Sequence, residues 1–119
     1  IMQKILIINH ASPYGSERCL SALRLALMLT GKEGEQAQVT MFLMSDAVVA
    51  ALPNQQDASG KTLEDMIKTF VSQGGTIKVC RSCAQNRGTV DLPLIEGCVI
   101  GNLTELSEAV LASDKTLTF

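Results

Sequence analysis

Lys4-Ile5-Leu6-Ile7-Ile8 is a continuous apolar run that ends abruptly at Asn9 and His10. A strand with one wet face alternates apolar and polar residues. An unbroken run suits a strand covered on both faces, as in a parallel sheet flanked by helices. The chain then supplies the long crossover that parallel pairing requires. Residues 9–15 form a loop carrying Pro13 and Gly15. Ser16 is placed to cap a helix, and Glu17 suits its first-turn dipole. That helix is predicted over about residues 17–30, with Gly31 to terminate it. Its apolar residues (Leu20, Leu23, Leu25, Ala26, Leu27, Met28 and Leu29) nearly encircle it. Such a helix is expected to meet the sheet and a neighbouring helix, or a second subunit.

The alternation continues outward from there. Residues 38–44 read as a second strand, and Ser45 or Asp46 then caps a short helix over 47–52. Residues 53–61 are polar and loop-like, a natural candidate for a mobile cover. Thr62, with Asp65 three residues on, sits close to a capping-box pattern for a helix over about 63–73. Leu63, Met66, Ile67, Phe70 and Val71 fall on one face of that helix, and Gly74-Gly75 stops it. Residues 76–79 form a third strand leading straight into Cys80. One helical turn is predicted within 83–88 and irregular chain around Pro93. A short strand follows at 98–100, a helix over 104–112 and a last strand over 115–119. Strands alternating with helices imply right-handed crossovers, hence a three-layer α/β/α fold with a mostly parallel five-stranded sheet.

The chain has 119 residues, enough for a single domain over 1–119. Hydrophobic residues make up 46%, charged residues 18% and aromatics only 3%. The core must therefore be aliphatic, and this balance excludes intrinsic disorder. A net charge of −2, with one Tyr, three Phe and no Trp, argues against a phosphate-tracking or base-stacking surface. No apolar run approaches the ~18 residues of a spanning helix. The run at 5–8 is too short for a signal-peptide core. The expectation is a cytoplasmic protein with neither nucleic acid nor membrane as partner.

Four cysteines are present: Cys19, Cys80, Cys83 and Cys98. In a reducing compartment, Cys80-Arg81-Ser82-Cys83 reads as redox, sulfur or metal chemistry rather than a disulfide framework. A zinc site needs four ligands, and no second paired motif exists, so no metal and no cofactor are expected. Cys80 lies at the end of a strand, where the following turn can aim amide N–H groups at its sulfur. Arg81 and Arg87 add positive charge, and Gly88 allows a φ > 0 turn. One helical turn would bring Cys83 beside Cys80. Cys19 and Cys98, set in aliphatic sequence, read as inert core thiols.

Ligands of open parallel sheets sit outside the carboxyl ends of the strands. That rule gathers Asn9, His10 and Ser16 after the first strand, Asp46 after the second and the Cys80 segment after the third. Ser16 and Asp46 are equally explained as helix caps, and His10 as a loop histidine satisfied by backbone. The loop 9–16 has neither a dinucleotide glycine fingerprint nor a phosphate-loop Lys-Ser/Thr ending, which discounts nucleotides.

Five stretches carry a resemblance. They are Ser12-Pro13-Tyr14-Gly15-Ser16-Glu17, then Phe42-Leu43-Met44-Ser45-Asp46-Ala47-Val48, then Val79-Cys80-Arg81-Ser82-Cys83 with Arg87-Gly88. Leu92-Pro93-Leu94-Ile95-Glu96-Gly97 and Ser113-Asp114-Lys115-Thr116-Leu117-Thr118-Phe119 complete the set. In order and nearly end to end, they closely resemble the YchN-like branch of the DsrE/DsrF-like family. The resemblance implies a five-stranded α/β/α domain and a homo-oligomer, a hexamer built as a trimer of dimers. Sulfur-relay members hold a persulfide on a cysteine after the third strand, ahead of an Arg-Gly turn, and pass the sulfur between proteins. Cys80 matches that position; Cys83 is absent from the relay pattern.

The expected function is sulfane-sulfur transfer on Cys80, with Arg81, Arg87 and local amides stabilising the anion. Sulfur donor and acceptor proteins would be its partners. A dithiol redox protein using Cys80 and Cys83, or a non-catalytic oligomeric ligand-binding module, are the alternatives.

Overall fold

The structure is a computed structural model and describes residues 2–31 and 37–119. The elements run β1 (Gln3–Asn9), α1 (Arg18–Thr30), β2 (Ala37–Leu43), a 3-10 helix (Ser45–Ala51), α2 (Thr62–Ser72), β3 (Thr76–Cys80), α3 (Arg81–Asn86), β4 (Cys98–Gly101), α4 (Leu103–Ala112) and β5 (Lys115–Thr118). The strands form one sheet in the order β4-β3-β2-β1-β5, every pair parallel. The sheet is thus wholly rather than mostly parallel. The predicted elements are present with slightly displaced ends.

Residues of alternating parity feed the two faces of the sheet. Ile5 and Ile7 of β1, Val39, Met41 and Leu43 of β2, and Ile77 and Val79 of β3 point to one side. There they pack with Ala22, Leu23 and Ala26 of α1 and Ile67 and Phe70 of α2. Leu6 and Phe42 point to the other side and meet Leu106 of α4. The nearly encircled α1 therefore buries one face on the sheet and on α2. Leu20 and Met28 stay exposed, Met28 at 66%.

Several local expectations are corrected. Ser16 does not cap α1: Glu17 is the boundary residue and no side chain caps it, although the Arg18 N–H reaches Ser16 Oγ at 3.4 Å. Neither Ser45 nor Asp46 caps the second helix, which is a 3-10 helix beginning after Met44. Thr62 donates to Asp57 Oδ1 at 3.2 Å instead of capping α2. Ser45, Asp46 and Thr62 instead meet His10, Arg87 and Asp57, partners outside their own helices that compete with the helix amides. The complete capping box is on α4, where Asn102 and Glu105 bond each other's main chain.

At the end of α2, Gly74 takes φ +92° and the following Gly75 lies against Phe70. A Cβ at Gly75 would sit 2.3 Å from the Phe70 ring, so glycine is what lets α2 close onto β3. The Lys78 ammonium pairs with Glu105, tying β3 to the first turn of α4. Among the described residues, no helix is long and apolar enough to cross a membrane.

Candidate functional site

With all strands parallel, Asn9, Leu43, Cys80 and Gly101 fall at the same edge. The Met44 N–H bonds the Asn9 carbonyl at 2.8 Å, which fastens the exits of β1 and β2 together. Beside them β3 ends at Cys80 and the chain enters α3 at once. First-turn amides of a helix lack partners within it. Here the Cys83 N–H is directed at Cys80 Sγ, 3.4 Å away, and Ser82 Oγ lies 3.4 Å from the same sulfur.

Burial acts against a Cys80 thiolate, yet the hydrogen bonds prevail. Donation from the Cys83 thiol, the Ser82 hydroxyl and the amides of both residues holds the Cys80 thiol below its ordinary value. Cys83 moves the other way. Burial and its donation to Cys80 raise its thiol, offset in part by the Ser45 N–H and the Arg87 charge. The two thiols of the pair are thus shifted in opposite directions, Cys80 down and Cys83 up.

Cys80 is only 7% exposed, whereas Cys83 is half-buried. Of the two sulfurs, Cys83 is thus the more accessible. The arginines also stand differently from the expectation. Arg87 Nε bonds Asp46 Oδ1 at 2.9 Å and its Nη1 bonds the Cys83 carbonyl at 3.2 Å. It braces α3 against the 3-10 helix, and its field acts on Cys83. Arg81 is exposed and its charge acts on Glu105. Neither arginine is among the leading influences on Cys80; hydrogen bonds are. Gly88 takes φ +72° just beyond α3.

His10 Nδ1 lies 2.9 Å from Ser45 Oγ, and Ser45 in turn faces Cys83. Asn9 is fully buried: its Oδ1 accepts the Ala11 N–H at 3.0 Å and turns the chain out of β1. Its Nδ2 lacks a partner of normal geometry and faces the Cys19 sulfur. The edge thus brings together Cys80, Cys83, Asp46, Arg87 and, through Ser45, His10. Asn9 supports that edge from beneath. Ser16 and Arg81 have no contact with the pair among those described. Ser82 is a participant that reading residue types along the chain did not single out, although its place between the two cysteines pointed to it. Ser45 was placed at this edge only as a helix cap, and nothing in the residue type announces its φ of +53°.

The loop 53–61 is tethered rather than free. Tyr14 Oη donates to Gln55 Oε1 at 2.6 Å, and Gln55 Nε2 donates to the carbonyls of Val49 and Leu52. It borders a cavity of about 160 Å³ shared with Leu20, Leu63 and Met66, whose lining includes neither cysteine of the pair. Among the described residues, no group of three or more His, Cys, Asp or Glu side chains is gathered for a metal.

A DsrE/DsrF-like family model matches residues 3–119. The chain belongs to the DsrE/DsrF-like family. Protein YchN of Escherichia coli (strain K12) is 42% identical over 118 residues, covering 99% of this chain and 100% of that protein. A protein of Methanocaldococcus jannaschii is 34% identical, covering 98% of this chain and 99% of its own. The crystal structure of E. coli YchN matches with a TM-score of 0.92 at 42% identity over 99% of this chain and 100% of that one. Within the family, therefore, the chain is YchN-like. A conserved protein of Bacteroides thetaiotaomicron, 19% identical with a TM-score of 0.68 over 97% of this chain and 94% of that one, shares the fold.

Proposed function

We propose that this DsrE/DsrF-like protein carries sulfane sulfur as a persulfide on Cys80 and works in a sulfur relay. The observation that carries the reading is the Cys80 sulfur, buried at a strand end yet within hydrogen-bond distance of the Cys83 N–H and the Ser82 hydroxyl, with its thiol held below the ordinary value. Membership of a family with sulfur-relay members supports it. The Cys80 thiolate attacks the terminal sulfur of a donor persulfide. A Cys80–S–SH group forms, and the donor leaves as a thiolate with the electrons of the broken S–S bond. An acceptor thiolate then takes the terminal sulfur and returns Cys80 to its starting state. The slight exposure of Cys80 restricts donor and acceptor to a slender group, such as a cysteine persulfide on an extended segment.

Arg87 and Asp46 hold α3 in place for this chemistry, and Asn9 supports the strand edge from beneath. A reducing, cytoplasmic setting suits a thiol pair that must stay reduced to accept sulfur. The chain acts as a homo-oligomer, a hexamer in the family's manner, using apolar residues left exposed on β4 and α4: Val99, Leu103, Val110 and Leu111.

The deciding experiment is mass spectrometry after incubation with a persulfide donor. One sulfur atom is expected on wild type and none on Cys80→Ser. No gain on wild type, or an equal gain on Cys80→Ser, refutes the reading. Light scattering tests assembly, and a clean monomer at micromolar concentration counts against the oligomer. The contact between the Cys83 thiol and Cys80 favours a second reading, a dithiol redox protein. It is excluded if the pair stays reduced in every glutathione mixture.

A further inference from the structure

Away from the thiol pair, a cavity of about 160 Å³ opens between the loop that leaves β1, the first turns of α1 and α2, and the loop 53–61. Pro13, Leu20, Leu63 and Met66 supply its apolar walls. A space of roughly 150 Å³ holds one benzene ring, which sets the size of an occupant's body. The polar part of the lining decides its chemistry. The Gln55 amide lies against two main-chain carbonyls, those of Val49 and Leu52, at 2.7 and 3.0 Å. A carbonyl only accepts, so both amide hydrogens are engaged there and Oε1 is left to face Tyr14. The Tyr14 hydroxyl gives its one hydrogen to that oxygen at 2.6 Å. Thr62 gives its hydroxyl hydrogen to Asp57 Oδ1, and the Asp57 N–H goes to the Gly60 carbonyl.

Tyr14, Gln55, Asp57 and Thr62 therefore offer the cavity oxygen lone pairs, because their hydrogens are already engaged within the protein. Gln56 stands exposed at the rim, where its amide can turn either way. Among the described residues of the lining, Asp57 alone carries a charge. The nearby Lys61 ammonium is bound to Asn54 Oδ1 at 2.8 Å. The first turn of α2 holds Glu64 and Asp65, which answer the positive end of that helix. Tyr14 is 62% exposed, so its ring adds the negative face of an aromatic to the same mouth. An anion there would meet the Asp57 carboxylate, and a body without hydrogens to give would leave the oxygens unpaired.

We propose that this cavity is a binding site for a small organic ammonium: a primary amine carried on an apolar body about the size of a benzene ring. The body enters among Leu20, Leu63 and Met66. The ammonium has three hydrogens to give and stays at the mouth, with the Asp57 carboxylate and the oxygens of Gln55 and Tyr14 to take them. The tie from Tyr14 through Gln55 to the 3-10 helix builds this mouth before a ligand arrives, which lowers the ordering cost of binding. Neither cysteine of the pair lines the cavity, so amine binding is an activity separate from sulfur carriage.

The experiment is calorimetric titration of the full chain at neutral pH with three probes of one shape: phenethylamine, phenethyl alcohol and hydrocinnamate. Phenethylamine is expected to fill one site in the millimolar range or tighter, the alcohol to bind at least about tenfold more weakly, and the anion not measurably. Asp57→Asn removes the charge but keeps an oxygen for Thr62 and the Ser59 N–H. It is expected to weaken phenethylamine by about tenfold and leave the alcohol unaltered, a split that misfolding would not produce. Leu63→Trp fills the cavity from α2 and is expected to abolish amine binding. Leu20→Trp asks the same from an exposed position on α1 and decides alone if Leu63→Trp fails to fold. Hydrocinnamate binding as tightly as phenethylamine, or an unaltered amine affinity in Asp57→Asn, overturns the ligand class. Absence of phenethylamine binding to the unaltered chain, or binding that survives a tryptophan in the cavity, overturns the site.

Discussion

Cys80 and Cys98 leave the same 7% of their surface exposed and stand on neighbouring strands, yet their thiols are driven in opposite directions. Cys98 opens β4 opposite Ile77, and burial pushes its thiol up to about 12. Cys80 closes β3 opposite Gly101, where the chain leaves the sheet and turns into α3. The amides of Ser82 and Cys83 are released from ladder duty there and turn to the sulfur, as do their side chains. Equal burial therefore does not mean equal chemistry. What separates the two cysteines is the end of the strand each occupies, because a carboxyl end that runs into a helix presents unpaired donors.

The largest expected consequence is a difference in reactivity. At neutral pH the thiolate fraction of Cys98 is smaller than that of Cys80 by a factor on the order of 10³ or more. Because the more basic thiolate is also the stronger nucleophile, timed alkylation with peptide mass mapping should modify Cys80 at least about 30-fold faster than Cys98, and comparable rates would break the contrast. Next in size is removal of the donors. Cys83→Ala deletes the thiol that donates to Cys80 but keeps the amide. It should raise the Cys80 midpoint by about one unit, followed by ultraviolet thiolate absorbance. Ser82→Ala should raise it by roughly half as much. No change in either variant would mean that donors do not set the contrast.

The smallest effect is on stability in alkali. The folded value of Cys98 is raised from 9.0 to about 12, so its contribution is intact below pH 9.0 and is lost as pH rises toward 12. The loss should reach about 1 kcal/mol by pH 10, read from urea midpoints, and Cys98→Ala should flatten that slope. An unaltered slope in Cys98→Ala would assign it to other groups.

Much of the architecture was legible because it rests on repeating patterns. The unbroken run at residues 5–8 requires cover on both faces, and apolar spacing marks α1 and α2, so alternating strands and helices follow. Cap residues were poorly legible: Ser45 and Thr62 resemble caps in sequence but bond His10 and Asp57 in space, and Ser16 only reaches the Arg18 N–H at 3.4 Å. A short polar side chain takes whichever partner the tertiary structure brings near, and nearest neighbours in sequence do not specify it. The Asn102–Glu105 capping box went unread although its spacing was present in the chain.

At the site, the Cys80–Cys83 spacing by itself determined that the two thiols share one turn, since three residues are nearly one helical repeat. The strand before Cys80 likewise determined that the pair lies at the ligand edge. Only the tertiary structure decided which groups act on the sulfurs. It sends Arg87 to Asp46 and Arg81 toward Glu105, and it brings Ser45 and His10, from two other strands, to Cys83. The reason is one of range. Periodicity along a chain encodes burial and local spacing, whereas a hydrogen bond or ion pair depends on angstrom-scale placement of residues far apart in sequence, which exists only once the sheet has set the strand ends side by side.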